Sequence, residues 1–153
     1  MTPFIEHPRC VPVSLCATSA RPFRNVNSAS RHNGGIELFS HLGYMPGTAL
    51  EVRVCIEGQQ LCYRGLVVWR RHTEAGYELG LVFASDRDAF RARMVEQLCH
   101  IEAWRRRHTG SGIPVEFEMA AAQWIARQSA GFPPLRGCDS MALDTAQPTV
   151  AVS

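Results

Sequence analysis

The first half of the chain alternates apolar and polar residues with a period of two, as β-strands with one buried face do. In the segment LEVRVCI at 50–56, every second residue is apolar, and Gly58 and the segment TEAG at 73–76 provide turns. This spacing predicts a small antiparallel β-barrel or sandwich over about 11–84, with a bulge or bend at Gly65. The residues expected on buried faces are Val11, Val13, Leu15 and Ala17; Leu50, Val52, Val54 and Ile56; Leu61, Tyr63, Val67 and Trp69; and Tyr77, Leu79, Leu81 and Phe83.

A helical period replaces the alternation after Ser85. The pattern predicts a long helix over about 86–107, opened by a capping box of Ser85 and Asp88 and closed by three arginines that suit the helix dipole. Its apolar stripe is expected to pack on the barrel or on a second subunit. That stripe consists of Phe90, Met94, Leu98 and Ile101.

A second helix is expected in VEFEMAAAQWIARQSA at 115–130, after the helix-breaking segment TGSGIP. One face carries Phe117, Ala121, Trp124 and Ile125, and it is too apolar to remain in water. We therefore expect this helix to dock on its own barrel, on a second copy of the chain or on a partner. Residues 136–153 have no periodicity and are predicted to form a disordered tail.

Composition narrows the class of protein. The chain has 153 residues, 46% of them hydrophobic, and a formal net charge of +2, which is typical of one globular domain. That charge is too small to favour a nucleic-acid polymer as partner, and no apolar run is long enough for a membrane helix. The N-terminus MTPFIEHPRC lacks the pattern of a secretory signal. A cytoplasmic protein without membrane insertion is expected.

Six cysteines raise the questions of metal binding and catalysis. None forms a C-x-x-C pair, and Cys55 and Cys62 lie in strand-like runs, so we expect buried free thiols. Cys99 and His100 are neighbours in a helix, where their side chains diverge. No nucleophile–base set, paired carboxylates or Walker-type loop is evident, so neither an enzyme nor a resident cofactor is expected.

Several segments, taken in order, resemble a PilZ domain. They are HPR at 7–9, GGIEL at 34–38, RGLVVWRR at 64–71, YELGLVF at 77–83 and RMVEQLCHIE at 93–102. The resemblance implies a six-stranded antiparallel β-barrel with a closing helix at 4–108, and a role in bacterial cyclic di-GMP signalling. The segment 118–133 is similar to the C-terminal extension of one proteobacterial subset of PilZ proteins. This similarity implies a C-terminal helical extension at 109–135.

The PilZ ligand motif has two parts, and both are altered here. In R-x-x-x-R, Arg9 matches the second arginine and Ile5 stands at the first. In D/N-x-S-x-x-G, an alignment on the glycine pair reads SRHNGG; an alignment on Asn27 instead leaves an extra residue in each gap. The resemblance therefore marks as ligand-binding Arg9, Ser30, Arg31, His32, Gly34 and Gly35.

The altered motif bears directly on affinity. Arginine matches phosphate oxygens and the guanine edge with a planar fork, so two arginines can clamp cyclic di-GMP. Ile5 supplies no fork, although Arg24 or Arg31 can partly replace it. Two functions remain open: a module that binds cyclic di-GMP weakly or in an altered mode and signals by protein contact, and a PilZ-like adaptor that binds no nucleotide. A protein partner is expected in both, for the adaptor in motility, pilus or polysaccharide regulation, and a homodimer is left open.

Overall fold

The computed structural model describes residues 4–18, 34–109 and 116–133. Two α-helices follow six β-strands along the described chain, and a 3-10 turn, Ser129–Gly131, ends the second helix. The strands are β1 Ile5–Glu6, β2 Ser14–Ala17, β3 Ile36–Ser40, β4 Ala49–Ile56, β5 Gln59–His72 and β6 Tyr77–Val82; the helices are α1 Asp86–Thr109 and α2 Phe117–Gln128. Among these residues no helix is long and apolar enough to cross a membrane.

The six strands form one mixed sheet in the order β1-β3-β6-β5-β4-β2. Four of the five strand pairs are antiparallel, but β1 runs parallel to β3, with Ile5 opposite Ile36. The prediction of a purely antiparallel sheet is wrong at this edge. There the backbone N–H of Ile5 donates to the carbonyl of Gly35 at 2.7 Å, and that of His7 donates to Glu37 at 2.8 Å. The described strands leave β1 and β2 as edges, joined by residues 7–13.

The period-two alternation sets the faces of the central strands as predicted. Leu50, Val52, Val54 and Ile56 of β4 are all buried, while Arg53 and Cys55 on the opposite face are exposed. A two-residue turn, in which Glu57 and Gly58 have φ of 52° and 75°, joins β4 to β5. These are the left-handed angles of a tight hairpin turn, which glycine adopts without steric cost.

One bulge changes the face of residues in β5. The register shifts between Val67 and Trp69, so Val67 lies in the main core and Trp69 packs on a second cluster with Val68. Gly65, expected to mark a bulge, instead pairs regularly with Leu50. The extra residue of the bulge therefore lies at Val68, and it turns the strand over after that point.

Helix α1 begins as predicted but buries a different face. The backbone N–H of Asp88 donates to Ser85 Oγ at 3.1 Å, which caps the helix. Phe90 and Met94 are 65% and 43% exposed, so the prediction that they pack on their own sheet is wrong, and packing on a second subunit stays a prediction; Leu98 is half-buried, and Ile101 is buried. The buried face is built mainly from small or polar side chains, which let the helix lie close to the sheet: Ala89, Ala92, Val95, Glu96, Cys99, Glu102 and Ala103.

Helix α2 docks on α1 of the same chain through Ala120 and Trp124, which are buried. The Trp124 ring meets Phe132 edge to face at a centroid distance of 5.6 Å. Arg93 of α1 donates to the carbonyls of Phe132 and Pro133 at 3.1 and 3.0 Å and fixes the end of this segment. Of the predicted apolar face, Ile125 is 56% exposed, because α2 turns that position away from α1.

The prediction of buried free thiols is wrong for most of the described cysteines. Cys10, Cys16 and Cys55 are exposed and Cys62 is half-buried, whereas Cys99 is buried. In β4 the buried positions alternate with exposed ones, and Cys55 falls on the exposed face. The predicted disordered tail at 136–153 lies outside the described residues.

Candidate functional site

The parallel pairing of β1 with β3 places the predicted ligand segments at opposite ends of this strand pair. Ile5 lies opposite Ile36, so Gly34 and Gly35 lie beside the start of β1, whereas Arg9 lies beyond its end, over Phe39. Ser30, Arg31 and His32, with the alternative arginine Arg24, lie outside the described residues.

Both glycines have a structural reason to be glycine. Gly34 has φ of 76°, a left-handed conformation that side chains disfavour. At Gly35, an added Cβ would lie 2.1 Å from the carbonyl oxygen of Leu81 and 2.7 Å from the Phe4 ring. The close pairing of β3 with β6 therefore requires Gly35 even without a ligand.

Ile5 is a core residue. Its side chain is only 4% exposed and belongs to the main apolar cluster, and its backbone is hydrogen-bonded to β3. An arginine at this position would place its charge in the core or distort β1. The first arm of the expected clamp is therefore absent, and the fold does not offer a simple way to restore it.

Arg9 lies close to two acidic residues of the sheet, Glu37 and Glu78. Its guanidinium lies 4.8 Å from the centre of the Phe39 ring, and its Nη2 is 3.4 Å from Glu78 Oε1. Glu78 also forms an ion pair with Arg71, and the Arg71 hydrogen bond lowers the pKa of the Glu78 carboxyl. Burial raises the pKa of the neighbouring Glu37 carboxyl, and its contact with Glu78 adds to that shift. Arg9 thus neutralises acid groups of its own chain.

A cleft of about 330 Å³ opens on the other side of Arg9. Its lining includes Glu6, Pro8 and Arg9 from the N-terminal segment, His100 and Arg107 from α1, and Trp124 from α2. His100 Nε2 lies 2.8 Å from the carbonyl oxygen of Glu6, which joins the helix to the segment. Burial lowers the pKa of His100, so this imidazole is neutral near pH 7 and donates to that carbonyl. In the sequence, the position of Arg107 is explained by the dipole of the helix that it ends, and no pattern indicates this cleft.

Beneath the cleft lies a buried polar cluster that sequence reasoning also missed. His7 Nδ1 is 2.9 Å from both carboxylate oxygens of Glu96, and its Nε2 is 2.7 Å from the carbonyl oxygen of Val11. The Tyr63 hydroxyl donates to Glu96 Oε2 at 2.8 Å. Burial lowers the pKa of His7, but the hydrogen bond and charge of Glu96 outweigh burial and raise it overall. His7 and Glu96 are 89 positions apart, and the HPR pattern gave no sign of the pairing.

The described residues give little support to a nucleophile at Cys99. Burial and the charges of Glu96 and Glu102 raise the pKa of the Cys99 thiol, so it stays protonated at neutral pH.

No protein-family model matches the chain, and it has no match among the curated proteins or the solved structures. The class of protein is therefore argued from the site itself: the exposed Arg9, the acidic side chains beside it and the cleft at its side.

Proposed function

We propose that the chain is a PilZ-like bacterial signalling module that acts in the cytoplasm by contact with another protein and binds cyclic di-GMP weakly. The order of strands and closing helix supports this proposal, as does the exposed guanidinium of Arg9. The fold that goes with this proposed function is a PilZ-like β-barrel. Residues 7–13 pass between the two edge strands with His7 and Val11 buried, which is compatible with a sheet curled toward closure.

We attribute the weak binding of cyclic di-GMP mainly to the competition of Glu78 for the Arg9 guanidinium. The Arg9 side chain is 59% exposed, so its guanidinium can turn toward a ligand, but Glu78 competes for the guanidinium. Ile5, in the core, adds no second fork. A charged bidentate contact is worth about 1–3 kcal/mol, so losing one weakens binding by about tenfold to a hundredfold.

An exposed apolar pair supports signalling through protein contact. Phe90 and Met94 lie one helical turn apart on α1 and remain open to solvent in the single chain. Exposed apolar groups that cluster in this way are common where a second protein binds.

Calorimetric titration of the full chain with cyclic di-GMP tests the role of Arg9. We expect Arg9→Ala to weaken binding by about tenfold and Glu78→Gln to tighten it by a similar factor, because the amide no longer competes with phosphate for the guanidinium. Arg53→Ala is the matched control, since Arg53 is exposed and paired with Glu51 on β4. Submicromolar binding that Arg9→Ala leaves unchanged would contradict the proposal.

A second function, an adaptor that binds no nucleotide, is favoured by the local charge. Glu6, Glu37 and Glu78 line the small pocket beside Arg9, and these acids repel the phosphates of cyclic di-GMP. If neither the wild type nor folded Glu78→Gln binds cyclic di-GMP at millimolar concentration, the adaptor function replaces the first.

A further inference from the structure

We propose that His7, Glu96 and Cys99 form a buried binding site for a transition-metal ion, and that Zn²⁺ is the ion that fits it best. The site is independent of cyclic di-GMP binding. It joins the N-terminal segment to α1 at the base of the cleft.

Three different ligand types converge at this point. The ligand atoms of His7, Glu96 and Cys99 all lie within 4.8 Å of one another, and the three side chains are buried. Glu96 and Cys99 are three residues apart on α1, so they share one helical face. An imidazole nitrogen, a carboxylate and a thiolate together suit zinc, whereas Mg²⁺ and Ca²⁺ take oxygen ligands and disfavour sulfur.

Neighbouring groups already hold two of the ligands in the required orientation. His7 Nε2 donates to the carbonyl of Val11 at 2.7 Å, which directs Nδ1 toward Glu96 and Cys99. The hydroxyl of Tyr63 donates to Glu96 Oε2 at 2.8 Å. Metal-binding histidines and carboxylates are oriented by outer hydrogen bonds of this kind.

The position of the carboxylate is a further argument for a metal. His7 Nδ1 is 2.9 Å from Oε1 and also 2.9 Å from Oε2 of Glu96. One N–H can point well at only one of two oxygens, so an equal division weakens the hydrogen bond. An ion placed between the imidazole and the carboxylate uses both oxygens, and with Cys99 Sγ it has four donor atoms. Zinc bonds to these ligand types are about 2.0–2.3 Å long, and ligand atoms that lie within 4.8 Å of one another can close around one ion at these lengths.

The charges of the metal-bound site balance. Neutral imidazole, carboxylate, thiolate and Zn²⁺ sum to zero, and the thiol proton of Cys99 leaves to solvent when the Zn–S bond forms. The bound site therefore buries no unpaired charge.

An ion can reach the site from the surface. His7 lines both the cleft of about 330 Å³ and the small pocket beside Arg9, although its own side chain is 5% exposed.

Titration of the metal-free full chain with Co²⁺ tests the proposal. We expect one equivalent to produce a thiolate-to-cobalt absorption band with tetrahedral visible bands, and one equivalent of Zn²⁺ to remove them. Zinc binding in weak buffer should release protons, because Cys99 binds the ion as a thiolate. Cys99→Ser should abolish the thiolate band, while Cys55→Ser, which alters an exposed thiol on β4, should retain it. A thiolate band that persists in Cys99→Ser overturns the assignment.

The wild type supplies a second measurement that does not depend on whether a variant folds. Zinc at about one hundred times its dissociation constant should raise Tm by several degrees over protein in chelator. If the wild type takes up neither Co²⁺ nor Zn²⁺ at micromolar concentration, or if Tm is the same with zinc and with chelator, the cluster is only an ion pair and the proposal fails.

Discussion

Removing the Tyr63 hydroxyl isolates one hydrogen bond in the buried cluster. Tyr63 is 2% exposed, and its hydroxyl donates to Glu96 Oε2 at 2.8 Å. Burial, followed by the charge of Glu96, raises the pKa of Tyr63 well above its usual value, so the phenol stays protonated and remains a donor. Tyr63→Phe keeps the ring, which packs edge to face on Phe83 at 6.0 Å, and takes away only the donor.

The expected cost follows from the charge on the acceptor. A hydrogen bond to a charged group contributes about 1.5–3 kcal/mol, and the carboxylate of Glu96 is fully buried, so no water replaces the lost donor. We expect Tyr63→Phe to lower the free energy of unfolding by about 2 kcal/mol and Tm by about 6–12 °C. Urea denaturation and thermal melts followed by circular dichroism, both in chelator, measure these quantities.

Tyr77→Phe provides the matched control. Tyr77 is half-buried against the core, its ring contacts the His72 ring and the Arg70 guanidinium, and its hydroxyl forms no hydrogen bond within the described part of the chain. This variant should change the free energy of unfolding by less than about 0.5 kcal/mol. If the two variants cost the same, the hydrogen bond from Tyr63 contributes nothing specific, and the account of the buried cluster is wrong.

Two further predictions concern packing, and each has a control in the same chain. Trp124→Ala should cost about 3–5 kcal/mol in urea denaturation because it empties the contact between α2 and α1, whereas Ile125→Ala should stay within about 0.5 kcal/mol; equal costs would show that α2 does not dock through Trp124. Gly35→Ala should cost about 3 kcal/mol or more because its Cβ meets the Leu81 carbonyl oxygen, whereas Gly58→Ala, at φ of 75° in open space, should cost about 1 kcal/mol; a folded Gly35→Ala protein with unchanged Tm would refute the close β3–β6 approach.

The sequence predicted the faces of β4 and β6 well because alternation along a regular strand maps directly onto the two sides of a sheet. The same rule failed at Trp69, where the bulge at Val68 shifts the period by one residue. The segment LVVW is apolar throughout, so its pattern of hydrophobicity holds no sign of the shift.

The face of α1 was mispredicted for a different reason. The pattern favours the large apolar residues Phe90 and Met94, but the buried face includes the carboxylates Glu96 and Glu102. Glu96 binds His7 and Tyr63, which are distant in sequence, whereas Glu102 binds Arg105 within the same helix. A carboxylate becomes a core residue only when such partners are present, and a periodicity that counts apolar residues assigns it to solvent.

Only part of the candidate site could be predicted from the sequence. The resemblance to PilZ domains singled out Arg9 and the glycines, but the structure places them at opposite ends of the β1–β3 pair. Glu37 and Glu78 look like ordinary polar residues of half-buried strands. Their position under Arg9 depends on the β3–β6 register, in which Glu78 pairs with Phe39 and Glu37 with Gly80. Charge around a site is thus a property of strand pairing that no local motif carries.

The buried cluster and the exposed arginine are two residues apart, and this spacing links α1 to the candidate ligand site. His7 is fixed to Glu96 of α1, the rigid Pro8 follows, and Arg9 then lies over Phe39 and Glu78 of the sheet. His100 of α1 also holds the carbonyl of Glu6, on the other side of His7. Because α1 binds the segment at both places, Arg9 can move far from Glu78 only through rotation of its own side chain or release of His7. The first leaves α1 unchanged, whereas the second breaks the hydrogen bonds of Glu96 and exposes a buried charge. A ligand that draws Arg9 beyond side-chain reach therefore acts on α1 directly, without any intermediate element.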